Sequence, residues 1–308
     1  MIEPPSRLNW RHGFEPETCM EPTVATIHCD RGVPEHADHS QMTETPVLHH
    51  RPGKTGRAVS VRDKTVVKVQ EPAASRKERL RTLAGKRVGE QTELFVVPDI
   101  VSFNDAEGEI VFERLPLIPF REALSRTDQS FDLIRRAAMS LAGVHGRMAS
   151  AEVSDTKLES KPNSVPLHGD FGMHNVCYLP ASDEIALIDW ANAGWTGVES
   201  DVGEPEIDVA VFLVSLFHRR PLGPWPVSQR HELARHFLEV YASTAGGLSL
   251  QRLRSIVAAI APGHARMTRR LKGRLRALSY YHSFIDLYFF LGRLRAEAYA
   301  VHSDHHTA

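Results

Sequence analysis

Three polar side chains in the middle of the chain have the types and the spacing that phosphoryl transfer needs. Asp170 lies in a glycine-containing stretch that predicts a loop, Asn175 follows five residues later, and Asp189 ends a short apolar strand, 185–188. A carboxylate can accept the proton of a hydroxyl, while an amide oxygen and a second carboxylate can hold Mg²⁺. The sequence therefore predicts the minimal set of groups for a kinase, and it says much less about the substrate.

Length and charge define the broad class of protein. A chain of 308 residues can form two lobes around a sizeable core, and 42% hydrophobic with 24% charged residues is ordinary for a soluble globular protein. The net charge of -1 argues against a protein built mainly to bind nucleic acid. Residues 266–276 carry six basic side chains, which would suit a phosphate-binding face, but a solvated helix face is the favoured interpretation.

Cysteine usage and hydropathy indicate a location. Cys19, Cys29 and Cys177 are an odd number without metal-ligand spacing, so we expect a reducing compartment and no disulfide framework. The first thirty residues lack the apolar core of a signal peptide, and the apolar stretch 280–291 is too short and too polar to span a bilayer. We therefore expect a cytoplasmic protein without a membrane partner.

The elements that must position the polar side chains begin after residue 45. Residues 1–45 are rich in Pro, His, Thr and Glu, which predicts a flexible extension. Residues 46–115 contain short β-like runs and one helical segment, 75–91, and so predict a five-stranded antiparallel lobe with one helix. The predicted strands are 47–48, 58–61, 66–69, 99–103 and 109–115.

Residues 116–308 predict a larger, mainly helical lobe. Apolar residues recur with the helical period from Ser130 to Met148, and the stretch 206–217 is almost continuously apolar, which indicates a buried helix. Further helices are expected near 227–243, 250–261 and 264–298. The predicted fold class is therefore α+β, with the polar set around Asp170 in the helical lobe.

The first predicted turn of the smaller lobe contains Gly53 and Gly56. A turn of this kind can lie over nucleotide phosphates, because glycine lets backbone N–H groups approach closely. The earlier glycine of a P-loop would fall at Leu48, so that motif is absent. A plain hairpin turn is the more common explanation of such a pair of glycines.

Lys68 interrupts an otherwise apolar strand, and its sequence context leaves two interpretations open. A lysine inside a sheet needs a partner or a bound anion, whereas a lysine on an edge strand can point to water. The partner would be Glu78 or, less favourably, Glu90. Glu78 has a competing explanation as the second member of a helix capping box that begins at Ser75.

With its elements in order, the chain resembles the aminoglycoside phosphotransferase and choline kinase group, which has a protein-kinase-like fold of two lobes. The stretch His168–Asn175 is similar to the group's HGDxxxxN motif, and Ile188–Trp190 is similar to its IDW motif. The resemblance covers about residues 47–217, and these two motifs are its specific part. Three shorter elements also resemble the group, namely Val144-His145, Gly203–Pro205 and Asp208–Ala210.

The resemblance implies roles for the residues of the two motifs. Asp170 would be the catalytic base, and Asn175 and Asp189 would hold the Mg²⁺ that bridges the phosphates of ATP. Asp208 would brace the loop that carries the base, and His168 would be structural. A positioned base contributes on the order of a hundredfold to ten-thousandfold to the rate, so loss of a metal ligand should cost at least as much.

The resemblance also implies a nucleotide site in the smaller lobe. Lys68 would contact the α- and β-phosphates and would be positioned by Glu78. The turn with Gly53 and Gly56 would lie over the phosphates, and backbone groups from Glu113 to Leu115 would meet the adenine. ATP and Mg²⁺ are therefore the expected cofactors.

Two departures from related patterns bear on the substrate. Gly169 stands where regulated protein kinases usually have arginine, which favours a small-molecule acceptor. The segment 191–206 is longer than usual and would favour a cationic acceptor if its carboxylates line the site, whereas a solvent-exposed acidic loop is an equal alternative. Those carboxylates belong to Glu199, Asp201, Glu204 and Glu206.

These expectations define one favoured function and two alternatives. We expect an ATP- and Mg²⁺-dependent phosphotransferase that acts on a hydroxyl of a small molecule, such as an antibiotic, an amino sugar or a choline-like metabolite. A protein kinase is the second interpretation, and a nucleotide-binding, pseudokinase-like interaction module is the third. Nucleic acid is not an expected partner, and the oligomeric state has no signal in the sequence.

Overall fold

The computed structural model describes residues 51–52, 58–149, 164–191, 201–218 and 227–304. The predicted extension 1–45 and the turn with Gly53 and Gly56 lie outside these residues. The strands are β1 (Arg51–Pro52), β2 (Ala58–Val61), β3 (Thr65–Val69), β4 (Ile100–Asn104), β5 (Glu109–Glu113), β6 (Ile118–Pro119), β7 (Val165–Pro166), β8 (Val176–Leu179), β9 (Glu184–Leu187) and β10 (Val202–Gly203). The helices are α1 (Pro72–Thr92), α2 (Phe120–Arg126), α3 (Ser130–Arg147), α4 (Glu206–Phe217), α5 (Val227–Ala245), α6 (Leu250–Lys272) and α7 (Arg274–Asp304).

The first five strands form an antiparallel sheet in the order β1-β2-β3-β5-β4. Strands β2 to β5 lie where the sequence predicts strands, but β1 lies at the start of the predicted first turn, and the predicted strand 47–48 is outside the described residues. Strand β3 lies inside this sheet, with Lys68 opposite Val59 on one side and Ile110 on the other. The edge-strand interpretation of Lys68 is therefore wrong. Its pairing with β5 joins residues that are 40 to 48 positions apart, which no local pattern reveals.

Helix α1 begins three residues earlier than predicted. Pro72 occupies its first turn, where a missing N–H costs nothing, and the side chain of Glu71 accepts hydrogen bonds from the backbone of Ala73 and Ala74. The predicted capping box at Ser75 is therefore wrong. Since Glu78 then lies in the second turn of the helix, its carboxylate is available to face the sheet.

The core of the helical part surrounds α4, which is buried along nearly its whole length because it is apolar on every side. Phe212 at its centre stacks on Phe237 of α5, with ring centroids 4.1 Å apart, and contacts Phe120 of α2 at 6.2 Å. It also contacts Phe171 at 5.8 Å, in the stretch that carries Asp170. The same core therefore supports the predicted catalytic residues.

The two longest helices, α6 and α7, divide at a different residue from the predicted one. The sequence places a break between residues 261 and 264, but α6 continues through Pro262 to Lys272. The break falls at Gly273, whose φ of +85° is a conformation that glycine adopts without strain. None of the described helices is long and apolar enough to cross a membrane.

Candidate active site

The stretch 167–176, called the Asp170 loop below, is fixed at its start by one buried carboxylate. Asp208 on α4 accepts hydrogen bonds from the backbone N–H of His168 at 2.7 Å and of Gly169 at 2.9 Å. Its Oδ2 also lies 3.1 Å from His145 Nε2 on α3. Burial by itself would raise the pKa of Asp208. The hydrogen bond with His145, the neighbouring imidazoles of His145 and His168, and the Gly169 N–H hold this pKa below its usual value.

The loop turns at Gly169, whose φ is +85°. Residues with a side chain are strained in this conformation, so glycine is needed at this position for a reason of backbone geometry. The absence of an arginine here, noted from the sequence, thus has a local structural cause. His168 before it is completely buried, with its ring centroid 4.5 Å from that of Trp190. Burial lowers the pKa of His168 to about 4, so it is neutral at pH 7.

Asp170 and Asn175 contact each other within the loop. The amide nitrogen of Asn175 donates to the Asp170 carbonyl at 2.9 Å and to its Oδ2 at 3.0 Å. His174 Nε2 lies 3.3 Å from the same Oδ2. Asp170 Oδ1 has no hydrogen-bond partner among the described residues. Asn175 thus orients the carboxylate through its nitrogen, and its amide oxygen is the atom chemically suited to a cation.

The hairpin of β8 and β9 brings Asp189 to the end of the Asp170 loop. Val176 pairs with Leu187 across the hairpin, and the N–H of Ile188 donates to the carbonyl of Asn175 at 3.0 Å. Asp189 follows directly, with a φ of +58° that aspartate tolerates better than most residues. Two residues that are fourteen positions apart in the sequence are thereby placed at one end of a two-stranded hairpin.

Lys68 joins the sheet to this hairpin. Its Nζ contacts the carboxylate of Glu78 on α1 and lies 2.9 Å from Asp189 Oδ1. Lys68 and Glu78 have only 4% and 2% exposed side-chain surface, so each charge requires the other. Gln70 holds the second oxygen of Glu78 at 2.7 Å. Glu90, the alternative partner, instead lies 3.2 Å from Lys86.

The predicted adenine contacts fall where β5 leaves the sheet. Glu113 is the last residue of β5, with an exposed side chain, and its N–H donates to Asp99 at 2.8 Å. Leu115 lies two residues further on, in the connection to β6, and its carbonyl accepts from Leu117 at 2.9 Å. This connection is the described link between the sheet and the helical part of the chain.

The structure describes three of the four carboxylates in the acidic segment 191–206, and two of these three are buried. Asp201 is buried and lies 3.2 Å from Arg81 Nη1 and 3.0 Å from Lys77 Nζ. Glu206 is also buried and accepts from the N–H of Ser249 at 3.3 Å. The expectation of an exposed acidic loop is therefore wrong for these two carboxylates, which are occupied by protein groups. Glu204 is half exposed, and Glu199 lies outside the described residues.

Sequence reasoning missed Arg81, the arginine one turn after Glu78 on α1. Its guanidinium is completely buried, pairs with Asp201 and donates to the carbonyls of Leu167 and His168 at the start of the Asp170 loop. Burial lowers its pKa, against the raising effect of Asp201, Asp208 and Glu78. The spacing of three residues from Glu78 was the available signal, because residues three apart share a helix face.

Among the described residues, no group of three or more His, Cys, Asp or Glu side chains could hold a metal ion alone. Asn175 and Asp189 nevertheless supply one amide and one carboxylate oxygen, which suits Mg²⁺. That ion commonly takes one or two protein ligands and completes its shell with water and substrate phosphates. The donor set of the site therefore fits a magnesium ion that is bound together with a phosphorylated ligand.

Comparison with solved structures finds similar proteins. A choline/ethanolamine kinase family protein from Mesorhizobium loti is similar with a TM-score of 0.50 and 14% identity, over 81% of this chain and 94% of that one. A choline kinase from Streptococcus pneumoniae has a TM-score of 0.48 and 13% identity, over 76% and 91% of the two chains. An aminoglycoside phosphotransferase from Streptomyces rimosus has a TM-score of 0.43 and 14% identity, over 71% and 92%. The sequence matches no protein-family model and no curated protein.

The likeness to the Mesorhizobium loti protein establishes the fold of this chain. It is an α+β, protein-kinase-like fold with a small antiparallel sheet and a mainly helical remainder. The resemblance drawn from the loop motifs is thereby confirmed at the level of the fold.

Proposed function

We propose that the chain is an ATP- and Mg²⁺-dependent phosphotransferase that moves the γ-phosphate of ATP to a hydroxyl of a small molecule. The observation that carries the proposal is the position of Lys68, which contacts Glu78 on one side and Asp189 on the other. The contacts of this buried lysine bring together its own positive charge, the carboxylate of Asp189 that would bind the metal, and the carboxylate of Glu78 on helix α1. Phosphoryl transfer depends on such placement of charge more than on covalent chemistry.

The nucleotide is proposed to lie against the lobe 46–115. Lys68 would bind the α- and β-phosphates, with Glu78 holding its ammonium in place, and the turn with Gly53 and Gly56 would cover them. Backbone groups from Glu113 to Leu115 would contact the adenine. A compact ammonium group suits this role because it can exchange a carboxylate for a phosphate oxygen without moving its aliphatic stem.

The metal is proposed to bind through the amide oxygen of Asn175 and the carboxylate of Asp189. When bound, Mg²⁺ would neutralise charge on the transferring phosphate. The contact of Asp189 with Lys68 supports this role, since it directs the carboxylate at the place where phosphates would enter. Asn175 would at the same time keep Asp170 in its orientation.

Asp170 is proposed to accept the proton of the attacking hydroxyl. One of its oxygens is held by Asn175 and lies near His174, and the other has no hydrogen-bond partner among the described residues. The acceptor would approach from the lobe 116–308. The similar fold of a choline/ethanolamine kinase family protein supports a small hydroxylated acceptor, and the strain expected of an arginine at position 169 argues against a regulated protein kinase.

A panel of acceptors tests the proposal, with ATP consumption and the mass of the product as readouts. Aminoglycosides, other hydroxylated antibiotics, choline and sugars would each be incubated with the wild type and with Asp170→Asn. We expect one class to gain a phosphate with the wild type, and the variant to transfer at least about a hundredfold more slowly while binding ATP normally. ATP binding without transfer to any acceptor would instead favour an interaction module, and phosphate found only on protein would favour a protein kinase.

A further inference from the structure

The buried guanidinium of Arg81 is the largest group at the site that the proposed chemistry does not use. It lies on α1 and donates to two successive carbonyls, those of Leu167 and His168. Its other terminal nitrogen lies 3.2 Å from Asp201 Oδ1. We call these three contacts the Arg81 clasp. They span 86 to 120 residues of sequence, so they join parts of the chain that no local element connects.

Together, Arg81 and Asp208 bind the peptide groups that precede Asp170 from two sides. On one side Arg81 takes the carbonyls of Leu167 and His168, and on the other Asp208 takes the N–H groups of His168 and Gly169. Hydrogen bonds to charged groups are shorter and stronger than neutral ones, and here both holding groups are buried. The backbone that leads to Asp170 is thus restrained from α1 and from α4 together.

Helix α1 connects this hold to the nucleotide side of the site. Glu78 and Arg81 are three residues apart and therefore share one helix face. Glu78 contacts Lys68, and Arg81 contacts the Asp170 loop. One face of α1 therefore contacts both the lysine of the sheet and the backbone of the Asp170 loop.

Asp201 contacts both Arg81 and the start of the Asp170 loop. Its carboxylate pairs with Arg81, while its carbonyl accepts the N–H of Leu167 at 2.8 Å. The following residue, Val202, pairs with Pro166 in the short ladder of β10 and β7. Arg81 and Asp201 therefore act on the same few residues, one through side-chain donors and the other through its backbone.

We propose that Arg81 is a positioning residue, which holds the Asp170 loop on helix α1 and thereby fixes the placement of the base. This inference rests on the proposed phosphotransfer. A displacement of about 1 Å at a reacting group can cost on the order of a hundredfold in rate, so a loop freed from this hold should lose turnover without losing the nucleotide site.

Four variants separate positioning from simple stabilisation. Arg81→Met removes the clasp and leaves the buried charge of Asp201 with its ion pair to Lys77, and Arg81→Met with Asp201→Asn removes that charge as well. Arg81→Lys keeps the charge but loses the planar fork that reaches two carbonyls. Arg76→Met is the control, because Arg76 lies on the same helix with 61% exposure and only a 4.0 Å ion pair.

We expect kcat of Arg81→Met to fall on the order of a hundredfold, with one nucleotide bound per chain at unchanged Kd. The double variant should regain melting temperature but not kcat, and Arg81→Lys should also melt near the wild type while turning over more slowly. Arg76→Met should match the wild type throughout. Recovery of kcat together with melting temperature in the double variant, or a full rate in Arg81→Lys, would overturn the proposal.

Amide hydrogen exchange tests whether Arg81 holds the Asp170 loop without a measurement of phosphate transfer. Peptides that cover 167–176 should exchange faster in the double variant than in Arg76→Met, while peptides from the sheet stay unchanged. Equal exchange in the two variants would contradict the clasp. If the wild type transfers phosphate to no acceptor, the proposed function fails, and this exchange result still shows whether Arg81 holds the loop.

Discussion

The two sides of the candidate site are held by different kinds of interaction. On the nucleotide side, Lys68 is held by ion pairs between side chains, with Glu78 and Asp189. On the loop side, Asp208 bonds directly to the backbone of His168 and Gly169. Ion pairs between side chains can exchange partners when a charged ligand enters, whereas backbone groups held by one buried carboxylate keep a fixed geometry.

This difference fits the work proposed for each side. Binding of a nucleotide and a metal requires Lys68 to turn to phosphate and Asp189 to turn to the cation, so their mutual contact must be replaceable. The base needs the opposite property, because its oxygen must be in place before the acceptor arrives. We infer that the ion pairs of Lys68 on the nucleotide side can rearrange when a ligand binds, whereas the backbone contacts of Asp208 on the loop side stay in place.

The largest expected effect comes from removing Asp208, the carboxylate that fixes the loop side. Asp208→Ala leaves His145 and two buried N–H groups without their acceptor, so the free energy of unfolding should fall by about 3–5 kcal/mol. Asp183→Asn is the matched control, since asparagine tolerates the φ of +57° at this position. Asp183 is 59% exposed and pairs only at the surface, where about 1 kcal/mol or less is expected. Urea unfolding measures both. Similar losses for the two variants would show that the loop does not depend on Asp208.

Changes on the nucleotide side should act on nucleotide binding, beyond the stability that Lys68→Met loses by leaving the buried Glu78 charge without this partner. Lys68→Met fills the same volume without charge, and it should weaken ATP binding about 10–100-fold, because a hydrogen bond to a charged group contributes about 1.5–3 kcal/mol. Glu78→Gln should act in the same direction and more weakly. Titration calorimetry with Mg·ATP measures the affinities, and unchanged affinity in Lys68→Met would exclude this lysine from the phosphate site.

The burial of His168 on the loop side should make the free energy of unfolding depend on pH. His168 has a pKa of about 4 when folded and an ordinary value of 6.5 when unfolded, so the unfolded chain binds one more proton between these values. Stability should therefore fall as pH falls, by about 2 kcal/mol between pH 7.5 and pH 5 from this group. His168→Asn cannot titrate, and its unfolding curves should lose that part of the slope. An equal slope in both proteins would refute the assignment.

The smallest expected effect concerns the packing that joins the two sides. A Cβ at Gly85 of α1 would lie 2.4 Å from the ring of Trp190, the residue after Asp189. Gly85→Ala should therefore cost about 1–3 kcal/mol. Gly146→Ala on α3 is the control, since nothing lies within 4 Å of its Cβ, and it should stabilise by about 0.5–1 kcal/mol. Thermal melts of the pair would test the contact, and a gain in both would contradict it.

Sequence reasoning succeeded where the chemistry is local. Asp170 and Asn175 share one loop, and Asp189 ends the next hairpin, so their spacing alone predicted that they lie close together. Three of the four pairings in the five-stranded sheet join consecutive strands and are local in the same way, whereas the pairing of β3 with β5 is not. The helix break was predicted between residues 261 and 264, where α6 in fact continues through Pro262, and its actual position at Gly273 was missed.

It failed where the contact depends on distant pairing. Whether Lys68 faces water or a partner is decided by β5, and the partner is decided by where α1 begins. Arg81 and Asp201 are 120 residues apart, and neither belongs to a recognisable motif. Long-range ion pairs of this kind leave no periodic pattern in a single sequence, so the structure was required to find them.

The division between a rearranging side and a fixed side is tested most directly by measuring Mg·ATP affinity and phosphate transfer on the same preparations of Lys68→Met and Asp170→Asn. We predict that Lys68→Met loses affinity, and that Asp170→Asn keeps wild-type affinity while its transfer falls at least about a hundredfold. If Asp170→Asn loses Mg·ATP as strongly as Lys68→Met does, or transfers phosphate at the wild-type rate, the two sides do not have the separate tasks assigned to them.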